Sequence, residues 1–374
     1  MGIPDMNDVK VPFIDLKQRY IEEKEELLHC VERVLESGHL VMTPELAEFE
    51  NDVSIYTGAK HCIGLNSGTD ALMMSLMAAG VGRGDEVITT PISFVATSGA
   101  IAHVGAKPVY VDVGPDQNID SNLIAAAITP KTKAIMPVHW IGRVADMSKI
   151  LEIAERHNLV VLEDSAQCMG SYLDGQHGGT FGLAGAISFH PLKNLNAIGD
   201  GGLLLTNDDD VARKVRLYRN HGLADRDNCV EYGVNSRLDI LNAEVLRFRL
   251  KRLDGIIEKR QANVALYREM IRASEVRIPQ DKSNQKTSYV MCLSLCERRD
   301  ELQAHLRENG IESLVYYGCP LHLQPAAQKF GYKAGDLPVA ENQAGHVLAF
   351  PHHQHLTPDQ IEYVADTING FYGA

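Results

Sequence analysis

The sequence predicts an α/β protein in two parts, and three observations lead there. Short β-branched runs alternate with helical patterns between about residues 60 and 206, as in a sheet joined by crossover helices. A long helical pattern over residues 239–270, interrupted only by Gly255, then leads away from that region. The length of 374 residues suits about two domains. The expected division is a large α/β unit over residues 1–250, N-terminal helices included, and a smaller C-terminal α+β unit over residues 251–374.

Taken in order, residues 20–35 and 45–56 place apolar side chains at helical spacing and read as two amphipathic helices ahead of the sheet. Residues 86–90, 108–113, 134–138, 159–162, 184–189 and 202–206 read as buried strands, because each is a short apolar, β-rich run. Residues 71–79, 146–156 and 208–218 read as the helices between them.

Composition excludes several classes. Lys and Arg number 36 against 49 Asp and Glu, a formal charge of −13 without a long basic run, which argues against nucleic acid or an anionic membrane surface. No run of about 18 apolar residues offers a membrane span, and the start lacks a signal-peptide pattern. Seven scattered cysteines suit a reduced cytoplasm better than a disulfide framework. Cys292 and Cys296 lack further ligands at zinc spacing, and the tract His352, His353, His355 falls in a loop, so no metal site is expected.

Three elements carry chemistry. Lys193 lies in a turn between two expected strands, followed by the glycine-rich Gly199-Asp200-Gly201-Gly202. Alone it reads as a solvated turn lysine. Residues 159–164 form an apolar strand ending in Glu163 and Asp164, where α/β folds bind ligands, although such an acid also serves as a cap or ion-pair partner. Asn66-Ser67-Gly68-Thr69-Asp70 opens a helix, whose free amides and macrodipole suit an anion, or which Ser67 or Thr69 simply caps. Together a lysine for a Schiff base, an acid for a pyridinium proton and a phosphate cradle meet the needs of pyridoxal phosphate.

The motifs that carry these residues resemble the DegT/DnrJ/EryC1/StrS sugar aminotransferases, within the aspartate-aminotransferase-like fold type I. The most specific are residues 66–72, Gly84 to Pro91, Glu163-Asp164-Ser165-Ala166-Gln167, residues 188–202 and Gly233-Val234-Asn235-Ser236-Arg237. The resemblance implies a large domain with a mixed, mostly parallel sheet flanked by helices, plus a small α+β domain. It implies Lys193 as Schiff-base lysine and proton carrier, and Asp164 as the partner of the ring nitrogen. Phe94 would stack on one ring face, Ala166 would touch the other, and Gln167 would reach the ring hydroxyl. Gly68, Thr69 and Ser188 would hold the phosphate, completed by Asn235 of a second subunit in a homodimer with shared sites.

The activity so implied is transamination. Glutamate or glutamine gives its amino group, leaving pyridoxamine phosphate, and a nucleotide-linked keto-deoxysugar receives it. His139, Arg219, Arg237 and His322 are the candidate substrate contacts, Arg237 foremost for a diphosphate. Tyr316-Tyr317-Gly318-Cys319-Pro320 departs from the family's usual His-Tyr-Pro-x-Pro in that pocket. A keto-cyclitol substrate and a cofactor-binding regulatory protein without turnover remain as alternatives. A pyridoxamine-dependent dehydratase is disfavoured, since Lys193 is present.

Overall fold

The computed structural model describes residues 9–374. At its centre lies a seven-stranded sheet of β1 (His61–Leu65), β2 (Glu86–Thr89), β3 (Lys107–Tyr110), β4 (Thr132–Met136), β5 (Val160–Asp164), β6 (Ala184–Ser188) and β7 (Gly202–Thr206). The spatial order is β1-β7-β6-β5-β4-β2-β3. Strand β7 runs antiparallel to β1 and β6, and the other neighbours pair in parallel, so the sheet is mixed and mostly parallel as expected. Strands this apolar need cover on both faces. Ile88, Ile135, Val161, Ile187 and Leu203 point into one apolar cluster, while Val87, Ala134, Leu162, Ala186 and Leu204 point into the other. That alternation is the period of two of an extended chain.

The helices are α1 (Leu16–Ser37), α2 (Pro44–Thr57), α3 (Gly68–Ala78), α4 (Val95–His103), α5 (Met147–Arg156), α6 (Asp209–Tyr218), α7 (Ile240–Leu250) and α8 (Leu253–Met270). Helix α1 begins where the Asp15 side chain accepts from the Gln18 amide, and it ends at Gly38, whose φ of 67° suits glycine. Its buried stripe is Arg19, Glu23, Leu27, Cys30 and Val34, spaced by threes and fours. Helix α2 opens with Pro44 in its first turn, a position without need of an amide hydrogen.

Two of these elements have no counterpart in the sequence reading. Strand β1 contains Gly64 and is too short to show alternation; helix α4, Val-Ala-Thr-Ser-Gly-Ala-Ile-Ala-His, is poor in strong helix formers. Both exist because the sheet and α3 cover them. The single long helix expected over 239–270 is instead a pair, broken at Lys251 and Arg252 rather than at Gly255. At the break, Arg249 and Arg252 both reach back to buried Glu23 of α1, which also pairs with Arg19. The same arginines pin the turn after Lys193. Arg249 Nη1 donates to the Asn196 carbonyl at 2.7 Å, and Arg19 Nη1 to that of Asn194 at 3.4 Å.

Beyond α8, an antiparallel sheet of β8 (Val276–Arg277), β9 (Cys292–Cys296) and β10 (Val347–Phe350) packs with α9 (Arg299–Glu308), α10 (Pro338–His346) and α11 (Pro358–Tyr372). Residues 11–13 pack against this part: Val11 bridges to Ile311, and Phe13 lies in an apolar cluster that also holds Leu293, Phe350, Trp140 and Tyr110.

Candidate active site

The C-terminal ends of β5 and β6, the segments after β1 and β2 and the residues just before β7 open on one cleft of about 240 Å³. This is the sheet edge where α/β folds gather ligands. Lys193 enters from the turn between β6 and β7, and its Nζ has neither a hydrogen bond nor an ion pair among the described residues. Burial pulls its amine down to about 8, with Asp164 and then Cys168 opposing the shift.

Asp164 ends β5, and the strand's alternation separates it from Glu163. Glu163 turns away and accepts from the amides of Gly179, Phe181 and Gly182 and from His139 Nε2, at 2.7 to 2.8 Å. Asp164 turns into the cleft. Its Oδ1 accepts from the Ala166 amide at 3.2 Å and its Oδ2 from Thr97 Oγ1 at 2.6 Å. Burial pushes the Asp164 carboxyl upward, and the Thr97 bond is the largest influence holding it down.

Helix α3 starts three residues earlier than its apolar pattern, because Ser67 caps it with its side chain on the Asp70 amide. The amides of Gly68 and Thr69 therefore lie in the first turn, with no acceptor among the described residues. Ser188 stands beside them: a Cβ on Gly68 would come 2.8 Å from Ser188 Cβ, and one on Gly202 only 2.1 Å from the Ser67 carbonyl carbon. Glycine at both positions lets three backbones converge on the cradle.

Gly68, Thr69, Phe94, Asp164, Ala166, Gln167, Ser188 and Lys193 thus line one cleft. Phe94 is 54% exposed, presenting a free ring face. Gln167 Oε1 accepts from the Ile141 amide, which leaves its NH₂ group for a ligand. Four residues proposed as substrate contacts do not reach the cleft of this chain. His139 is fully buried behind Asp164; since it accepts from the Ala145 amide at Nδ1, it is a donor to Glu163 at Nε2. Arg219 is buried on Glu50 and the Gly64 carbonyl, and His322 is buried on Glu341. Arg237 bonds the Asn220 side chain at 3.2 Å. Each of the four already bonds a partner within the protein, although Arg219 Nε and His322 Nδ1 are buried without one.

Asn235 is exposed and also lies outside this chain's cleft. Its segment does return to its own helix α3, however, since Ser236 Oγ donates to Asp70 at 2.7 Å.

Sequence reasoning missed Ser93, Thr97, His190 and His352. Thr97 lies one helical turn from Phe94, so the spacing was available as a signal. His190 lines the cleft three residues before Lys193, with Nδ1 accepting from the Leu192 amide. His352 forms part of the cleft wall, donating from Nε2 to the Tyr289 carbonyl, and burial holds its imidazole well below its ordinary value. Tyr316 and Tyr317 also line the cleft, Tyr317 with its ring centroid 6.0 Å from that of Phe94.

This donor set fits pyridoxal phosphate: a free amine of depressed pKa, a buried carboxylate near it, an aromatic face and an unfilled amide cradle. Comparison with known proteins agrees. The DegT/DnrJ/EryC1/StrS aminotransferase family model matches residues 21–369. A "pleiotropic regulatory protein" of Geobacillus stearothermophilus is 42% identical, over 97% of this chain and 99% of that protein. The dTDP-3-amino-3,4,6-trideoxy-alpha-D-glucose transaminase of Streptomyces venezuelae is 38% identical, over 96% of this chain and 95% of that protein. The crystal structure of S. venezuelae DesV in complex with a ketimine intermediate superposes with a TM-score of 0.95 at 38% identity, covering 97% of this chain and 99% of that one. On its cleft, its fold and these relatives, the chain belongs to the DegT/DnrJ/EryC1/StrS aminotransferase family.

Proposed function

We propose that this protein is a pyridoxal-phosphate aminotransferase that moves the amino group of glutamate or glutamine to the ketone of a nucleotide-linked deoxysugar. One observation carries the reading: the unpaired Lys193 amine shares a cleft with Asp164 and the open N-terminus of α3. The bound cofactor supplies an electron sink and a carrier for the amino group. Lys193 would hold the cofactor covalently and, with its amine free, would carry the proton at the reacting carbon. Asp164 would pair with the ring nitrogen and favour its protonated form. Overall the donor becomes its 2-oxo acid and the sugar ketone becomes an amine. The sugar class rests on the Streptomyces relative, which is named for a dTDP-linked product.

Incubating the holoenzyme with glutamate or glutamine and a nucleotide-linked keto-sugar tests this directly. Aminosugar and 2-oxo acid should appear in equal amounts. The Geobacillus relative's name favours a second reading, a cofactor-binding regulator without turnover. Cofactor binding without amine transfer to any keto-sugar or keto-cyclitol would establish that reading instead.

The shared-site homodimer belongs to the same proposal. Asn235 is exposed on a segment with Val230, Val234 and the 93% exposed Tyr232, an apolar surface that a second subunit would cover. An isologous dimer sets the same segment across both clefts. Mixing inactive Lys193→Ala with inactive Asn235→Asp should then recover about half the wild-type activity per heterodimer, from the one intact site. Heterodimers that form but stay inactive would place Asn235 elsewhere.

A further inference from the structure

Asp164 is a buried carboxylate with no cation bonded to it among the described residues, and its hydrogen bonds to them come from the Ala166 amide and the Thr97 hydroxyl. A carboxylate only accepts, so Thr97 commits its single proton to Oδ2. The Ser93 hydroxyl lies 2.6 Å from Thr97 Oγ1, and that oxygen has only lone pairs left to offer it. The chain therefore has one direction, Ser93 to Thr97 to Asp164. Both hydroxyls are buried, Thr97 completely. Water does not compete for them, and each bond polarises the next.

We propose that Thr97, with Ser93 behind it, is a positioning residue that holds Asp164 ionised and aimed into the cleft. This rests on the functional reading above, in which Asp164 serves the ring nitrogen. Neither hydroxyl touches the reacting atoms. Their action is on the carboxylate: losing a donor to a buried anion weakens the anion and raises its pKa. Cofactor binding that needs the anion is then lost at a higher pH than before.

The test compares wild type, Thr97→Val, Thr97→Ser, Ser93→Ala and Asp164→Asn, measuring pyridoxal phosphate affinity against pH and kcat. Thr97→Val keeps shape and removes the donor. The acid limb of its cofactor affinity should move up by about one to two pH units. Its kcat should fall by about 10- to 100-fold. Thr97→Ser should restore both, and Ser93→Ala should move the limb the same way by less. A limb unmoved in Thr97→Val, or a serine variant that restores neither quantity, overturns the proposal. If Thr97→Val does not fold, Ser93→Ala decides, and an unmoved limb there overturns it equally. Wild-type affinity and turnover in Asp164→Asn would instead sink the role given to Asp164, whatever Thr97 does.

Discussion

Lys193→Ala is expected to lower kcat by more than about 10³-fold, because one substitution removes both the covalent anchor and the proton carrier. Cofactor affinity should change far less. The amides of Gly68 and Thr69, the Ser188 hydroxyl, Asp164 and Phe94 all remain. The wild-type amine adds a pH signature. Burial brings it down to about 8, so about a tenth is already the free nucleophile at pH 7, far more than for an ordinary lysine. Attachment of pyridoxal phosphate to apo-protein should therefore speed up with rising pH and level off above about 8, as followed by visible absorbance. Near-normal turnover in Lys193→Ala would show that another lysine carries the chemistry.

Asp164→Asn should be severe for a different reason. It keeps the shape and removes the charge that, on the proposed reading, would stabilise the ring proton, an expected electrostatic loss of at least about 10²-fold in kcat. The fold should not suffer. A carboxyl whose folded pKa is raised above its unfolded value binds protons more readily when folded, so it stabilises the fold as pH falls and penalises it as pH rises through that range. Cofactor-free Asp164→Asn should then melt no lower than wild type at neutral pH and should lose part of the wild type's pH dependence. Thermal melts of the two apo-proteins across pH measure both. A marked drop in the variant's Tm would make Asp164 a structural anchor first.

Much of the fold was legible because its signals are local. Strand β7 falls on its expected residues, 202–206, since an unbroken apolar run between a glycine pair and Asn207 allows little else. The break at Lys251 and Arg252 was not legible: it accompanies ion pairs to Glu23, a residue more than two hundred positions away. Helix α4 was hidden for the same kind of reason, having weak propensity and a place made for it by its neighbours.

The site divides likewise. By itself the sequence nominated Lys193, Asp164, Gly68 and Thr69, because each is tied to a strand end, a turn or a helix start that its own neighbours encode, and the family resemblance added Ser188; the structure sets all five along one cleft. Only the tertiary structure decided which remaining polar groups are free. Arg219, His139 and His322 looked available and are committed to Glu50, Glu163 and Glu341, while Thr97 looked ordinary and bonds Asp164. A side chain's partner is set by distances between elements far apart in the chain, and a buried polar group without one costs about 1–3 kcal/mol. Residue type and spacing can nominate a donor, but packing alone assigns its acceptor.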